Sequence, residues 1–170
     1  MTSPTSPVSA LSGNATERSR PAHKSPRRRA REFAVQGIYQ SLLNADQRAE
    51  LILAHLRENE HFGKADAPLC DALVRGVLAA RDSLDEAIAP HLDRAVAELS
   101  PVEHAVLLLG AWELLRQPDT PFRVVINEGI ELAKTYGATD GHRYVNGVLD
   151  KLAQAARPFE STGRPQSPGG

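Results

Sequence analysis

The sequence predicts an all-α domain, and three observations carry that prediction. Apolar residues recur at helical spacing along almost the whole chain, sustained strand-type alternation is scarce, and Ser25-Pro26 and Ser100-Pro101-Val102-Glu103 are helix-start signals.

Ser25 can cap a helix, and Pro26 fits its first turn because the missing amide proton would have had no intrahelical partner there. Ala30, Phe33, Ala34, Gly37 and Ile38 then follow at offsets of three, four, seven and eight, which marks an inward face. Arg28, Arg31, Val35 and Tyr39 fall on a flank beside it. Arg27, Arg28, Arg29 and Arg31 occupy the first two turns, at the positive end of the helix macrodipole, which costs ~0.3 kcal/mol or more per exposed charge. An anionic partner is the expected reason for them.

Asn44-Ala45-Asp46 supplies a cap for a second helix bearing Leu51, Ile52, Leu53 and Leu56, and polar Glu58 to Asp66 reads as a loop. A long helix is expected from about Pro68, with Leu69, Leu73, Gly76, Val77, Ala80, Leu84, Ala87 and Ile88 as its buried stripe and Pro90 beyond its end. Asp93 to Leu99 adds a short helix. Val102 to Leu115 is apolar nearly all round, which places that helix at the centre of a bundle. Pro118 and Pro121 bracket the next loop. A helix from about Phe122 ends at Gly137, and a last one starts at Thr139 or Asp140 and runs to Arg157-Pro158. The total is about seven helices. Residues 1–24 are rich in Ser, Pro, Thr and Ala and cannot bury enough surface to offset ordering entropy, so they read as a disordered extension. Residues 158–170 read as a disordered tail, which leaves 25–157 as the folded domain.

A chain of 170 residues is long enough for one domain with a real core plus tails. The formal net charge of -1 argues against a protein that coats nucleic acid indiscriminately. It hides an asymmetry, because residues 1–31 carry Arg18, Arg20, Lys24 and the four later arginines against the single acid Glu17. The only cysteine, Cys70, excludes an intramolecular disulfide and reads as a small core residue. No apolar run approaches the ~20 residues needed to span a bilayer. Met1-Thr2-Ser3-Pro4 lacks the features of a signal peptide, so a cytoplasmic location is expected.

Catalytic signals are missing. The six histidines form no His-Glu-x-x-His arrangement, no Cys-x-x-Cys exists to hold a metal, and no phosphate-binding glycine loop is present. Glu128 and Glu131 lie one turn apart, the ordinary pattern of a solvated face. No enzyme activity, cofactor or metal is expected. The basic cluster with Tyr39, and Lys134, Tyr136, Tyr144 and Lys151 in the last two helices, instead suit unpaired nucleic acid: arginines take phosphates and rings stack on bases. Ordinary surface and core use remains the alternative for the last four.

Arg27-Arg28-Arg29-Ala30-Arg31-Glu32, with Ala34-Val35-Gln36 and Tyr39, resembles the opening of the NusB family of bacterial transcription antitermination factors. A longer match is Pro121-Phe122-Arg123-Val124-Val125-Ile126-Asn127-Glu128-Gly129-Ile130-Glu131-Leu132-Ala133-Lys134, then Tyr136-Gly137-Ala138 and Val145-Asn146-Gly147-Val148-Leu149-Asp150-Lys151. The resemblance covers about residues 25–157 and is weak over 44–67. It implies two small helical subdomains, pairing with the ribosomal small-subunit protein NusE, and binding of boxA, a single-stranded element of ribosomal RNA leaders. Such a complex helps RNA polymerase read through termination signals, without turnover.

Carried over residue by residue, the resemblance implies an RNA surface of Arg27, Arg28, Arg29, Arg31, Tyr39, Lys134, Tyr136, Asp140, Tyr144 and Lys151. Tyr39 and Glu103 would meet NusE, and Asn127, Glu128 and Asn146 would make structural hydrogen bonds. Gly129 stands where the family often has alanine, which costs up to ~1 kcal/mol of helix propensity unless a neighbour packs on it. Gly141 replaces a more usual serine, so a looser loop and a less firmly placed Asp140 are expected. Two other readings compete. NusB-like domains also precede RNA cytosine methyltransferase domains, whose Gly-rich stretch and catalytic cysteine do not follow here, and a protein scaffold could direct the arginines at acidic side chains.

Overall fold

The computed structural model describes residues 24–161. The expected extension 1–24 lies outside them apart from Lys24, whose Nζ pairs with Glu32 Oε1 at 2.8 Å, and so does the tail from 162 to 170. Seven α-helices are present among the described residues: α1 (Pro26–Leu43), α2 (Ala49–Arg57), α3 (Ala67–Ile88), α4 (Pro101–Arg116), α5 (Phe122–Tyr136), α6 (Gly141–Ala156) and α7 (Pro158–Ser161). There is no strand among them. Helices α1, α2 and α3 pack on one another, α5 and α6 pack on one another, and α4 touches α1, α3, α5 and α6. Two small helical subdomains therefore share the central helix. No helix among the described residues is long and apolar enough to cross a membrane.

The central position of α4 follows from its composition, for it is buried without a break from His104 to Ala111. The Ser100 cap and Pro101 stand as the sequence indicates, with Ser100 Oγ accepting from the Glu103 N–H at 3.2 Å. Asp66 caps α3 by accepting from the Leu69 N–H at 3.1 Å.

Four local expectations change. Asn44 does not open α2. It closes α1, donating its N–H to the Gln40 carbonyl, and α2 begins after Arg48 with no side-chain cap. The polar 58–66 stretch holds a 3-10 turn, Phe62–Lys64, because Phe62 is an anchor: it is buried edge-on against Phe33 at 5.2 Å between ring centroids. The expected helix at 93–99 is only a 3-10 turn, Val96–Glu98. The seventh helix lies instead in the region read as tail, where Pro158–Ser161 is helical.

That last helix is held by side chains rather than by propensity. The Arg157 guanidinium donates to four carbonyls at the end of α4 and in the following loop: Leu114 and Glu113 at 3.0 Å, Gln117 at 2.7 Å, and Thr120. The Glu113 carbonyl also accepts from the Gln117 N–H and the Gln117 carbonyl from the Thr120 N–H, so the charged fork adds a second donor there and supplies one to Leu114, whose position four residues on is Pro118 and has no N–H. Glu160 then accepts from the Phe122 N–H at 2.9 Å, at the open start of α5, and pairs with Arg157 at 3.3 Å.

Cys70 is fully buried, and burial, then the charge of Asp71, push its thiol up to about 12. The thiolate is the reactive form. Native protein is therefore expected to resist iodoacetamide at mildly alkaline pH and to react once unfolded in urea. Rapid alkylation of the folded chain, followed by mass spectrometry, would contradict this burial.

Candidate nucleic-acid interface

Ser25 Oγ accepts from the Arg28 N–H at 3.1 Å, so α1 begins just before its arginines. A helix turns about 100° per residue, so Arg27, Arg28 and Arg29 spread round α1, while Arg31, four positions after Arg27, falls within about 40° of it. Arg27 is exposed, Arg29 is half-buried, and neither forms an ion pair among the described residues. Arg28 leans towards α5, where Nε and Nη2 each lie 3.2 Å from a Glu128 oxygen. That hydrogen-bonded fork, partly opposed by burial, raises the Arg28 pKa.

Arg31 points inward, which corrects the expectation that it belongs to an exposed RNA flank. Its Nε and Nη2 meet Glu113 of α4 at 2.8 and 3.0 Å, and the two side chains are 5% and 2% exposed. Burial works against its charge, yet the Glu113 fork prevails and holds its pKa above the ordinary value. Val35, one turn on, is buried beside the same face at 2% exposure. A sequence signal existed: between Ala105 and Leu115 Glu113 is the one acid in an otherwise apolar run and needs a buried partner.

The remaining expected residues fall into two groups. Tyr39 and Tyr136 line one cleft of about 220 Å³ with Val35, Gln36 and Val102, floored by apolar carbon. Gln36 Nε2 donates to the Tyr136 hydroxyl at 3.0 Å and ties the end of α5 to α1. Burial raises the Tyr136 pKa. Lys134, nearby on α5, is exposed and pairs loosely with Glu131 at 3.6 Å. The other group surrounds Tyr144 and Lys151 of α6, which share a shallow cavity of about 260 Å³ with Pro90, His91, Asp93 and Arg143. Arg94, held by Asp93 at 2.8 Å, lays its guanidinium 4.4 Å from the Tyr144 ring centroid. His91, Arg94 and Arg143 were missed by sequence reasoning, because the chain passes them singly and only the fold gathers them at one tyrosine.

Glu103 stands between the groups. It follows Val102 of the tyrosine cleft, and a Cβ added at Gly141 would sit 3.0 Å from its Oε1. The glycine thus lets a carboxylate lie against the first turn of α6, where the macrodipole is positive. Gly141 is buried rather than part of a loose loop, while Asp140 is exposed and makes no side-chain cap bond. Glu128 makes the structural contact expected of it. Asn127 and Asn146 do not, for both are exposed without a side-chain hydrogen bond among the described residues. Gly129 has its packing neighbour: a Cβ there would fall 2.7 Å from Leu149 Cδ1.

The model of the NusB family matches residues 28–154, most of the described helices. The chain belongs to the NusB family. It is 56% identical over 137 residues to the transcription antitermination protein NusB of Chromobacterium violaceum, covering 81% of this chain and 92% of that protein. Among solved structures it is similar to T. maritima NusB, with a TM-score of 0.71 and 31% identity, over 84% of this chain and 100% of the other. A crystal structure of antitermination factors NusB and NusE in complex with dsRNA matches with a TM-score of 0.65 and 26% identity, over 76% of this chain and 97% of the other. The all-helical NusB architecture is thereby shared.

Proposed function

We propose that this NusB-family chain is a cytoplasmic transcription antitermination factor that binds single-stranded boxA RNA of ribosomal RNA operons together with NusE, as part of an RNA polymerase complex that reads through terminators. Relatives named for antitermination and a NusB–NusE–RNA structure support the reading. The observation that carries it in this molecule is the pair of tyrosine sites flanked by cations, with Glu103 between them.

Arg27 and Arg29 attract phosphates without reading sequence, and Lys151 and Arg143 do so at the far site. Tyr39, Tyr136 and Tyr144 offer rings for unpaired bases. Tyr39 and Glu103 face the NusE side. Arg31 has no place in this surface, since its charge is spent on Glu113. The role is binding and assembly, without turnover.

Titration with boxA-length RNA, with and without NusE, tests the reading. Arg27→Ala with Arg29→Ala is expected to weaken RNA binding and flatten its salt dependence by ~0.7 per lost phosphate contact. Unchanged affinity and slope in a gel-shift series would sink the assignment.

A further inference from the structure

Arg28 is a surface cation with a divided allegiance. Glu128 occupies its Nε–Nη2 edge with two contacts of 3.2 Å, longer than the 2.8 and 3.0 Å that bind Arg31 to Glu113. The Arg28 side chain is 35% exposed against 5% for Arg31, so solvent and solutes reach the first pair and not the second. Two further carboxylates, Glu131 and Glu32, act on Arg28 through space. Each of these has its own cation, Lys134 and Lys24 respectively, which leaves Glu128 as the acid that engages the guanidinium directly.

We propose that Glu128 is an internal competitor for RNA phosphate at Arg28, lowering the sequence-independent part of RNA affinity. This deepens the RNA-binding reading above and rests on it. A guanidinium makes its strongest contact with an oxyanion through two parallel N–H bonds, and one such edge is already filled. A phosphate must displace the carboxylate or accept the remaining edge with a negative charge close by. Either course reduces what Arg28 adds. Because phosphates are alike in every RNA, the reduction falls equally on all sequences. Base stacking at the tyrosines and contact with a protein partner then carry a larger share of the total.

The test compares the full chain with Glu128→Gln, which keeps the side chain's size and removes its charge, using boxA-length RNA and a scrambled strand of equal length. The variant is expected to bind both several-fold more tightly and to leave their affinity ratio unchanged. Its salt slope should steepen by ~0.7, one added contact on a single strand. Glu131→Gln, which removes a nearby charge not bonded to Arg28, should give a clearly smaller gain. Circular dichroism melts confirm that each variant is folded. Unchanged or weaker binding by Glu128→Gln, an unchanged slope, or an equal gain from Glu131→Gln would overturn the proposal. If the unaltered chain binds neither strand, the RNA-binding reading itself fails. If it binds and responds to loss of Arg27 and Arg29 but not to Glu128→Gln, only the competition is wrong.

Discussion

Arg31→Ala is expected to lower unfolding free energy by about 3–5 kcal/mol, because it strands the Glu113 carboxylate in a site where that side chain is 2% exposed. The value reflects an uncompensated buried charge more than the worth of the pair itself. Replacing both residues, Arg31→Met with Glu113→Leu, should therefore cost much less than the single change, and less than the two single costs summed. Urea unfolding followed by the fluorescence of Trp112, the only tryptophan, would measure all three. An Arg31→Ala protein as stable as the parent, but defective in RNA binding, would restore Arg31 to the RNA surface. This distinction matters for any mutational survey of the arginine motif. Loss of RNA binding on changing Arg31 reports a damaged scaffold, whereas the same loss at Arg27 or Arg29 reports the interface.

Leu149→Ala is expected to cost about 2–5 kcal/mol. Leu149 is fully buried, and its two methyl carbons enter a notch between α4 and α5 that exists because Gly110 and Gly129 lack side chains. A Cβ at either glycine would come within 2.7 Å of a Leu149 methyl. Truncation leaves a cavity bounded by two helix backbones that cannot easily collapse. Gly129→Ala alone should destabilise through crowding, despite its gain in helix propensity. In the Leu149→Ala background the same change should recover part of the loss by filling the void and rigidifying α5. Equilibrium urea curves on the four proteins would show this as a coupling of opposite signs; additive effects would mean that the notch does not bind the helices together.

Helix existence was largely legible in the sequence because caps and apolar spacing are local properties. Ser25, Asp66 and Ser100 stand where their side chains accept from the first turn, although only Ser25 and Ser100 were anticipated as caps. The apolar character of 102–115 likewise foretold a central helix. What escaped was tertiary. Arg31 and Arg27 are the same residue type four positions apart, and only the presence of Glu113 on α4 separates a core ion pair from a surface cation. The site around Tyr144 draws on residues from 90 to 151, so no linear window contains it. Short α7 has no helical signal strong enough to survive a composition reading, since its support comes from Arg157 and Glu160 reaching α4 and α5.

The Arg157 clamp also bears on the order in which a growing chain can finish folding. The carbonyls of Glu113, Leu114, Gln117 and Thr120 are closed by a residue 37 to 44 positions further on. On the ribosome, α4 can form early from its own sequence, with the Gln117 N–H closing on the Glu113 carbonyl, but the guanidinium contacts at its C-terminal end wait until Arg157 has left the exit tunnel. Glu113 meanwhile has Arg31, made 82 residues before it, as its partner. The last turn of the central helix is thus tied to both ends of the domain in time as well as in space. N-terminal helices emerge with their receiving surface still unmade, and the closing contacts arrive only once α6 and α7 have emerged, which favours one concerted folding event over stepwise completion of the two halves.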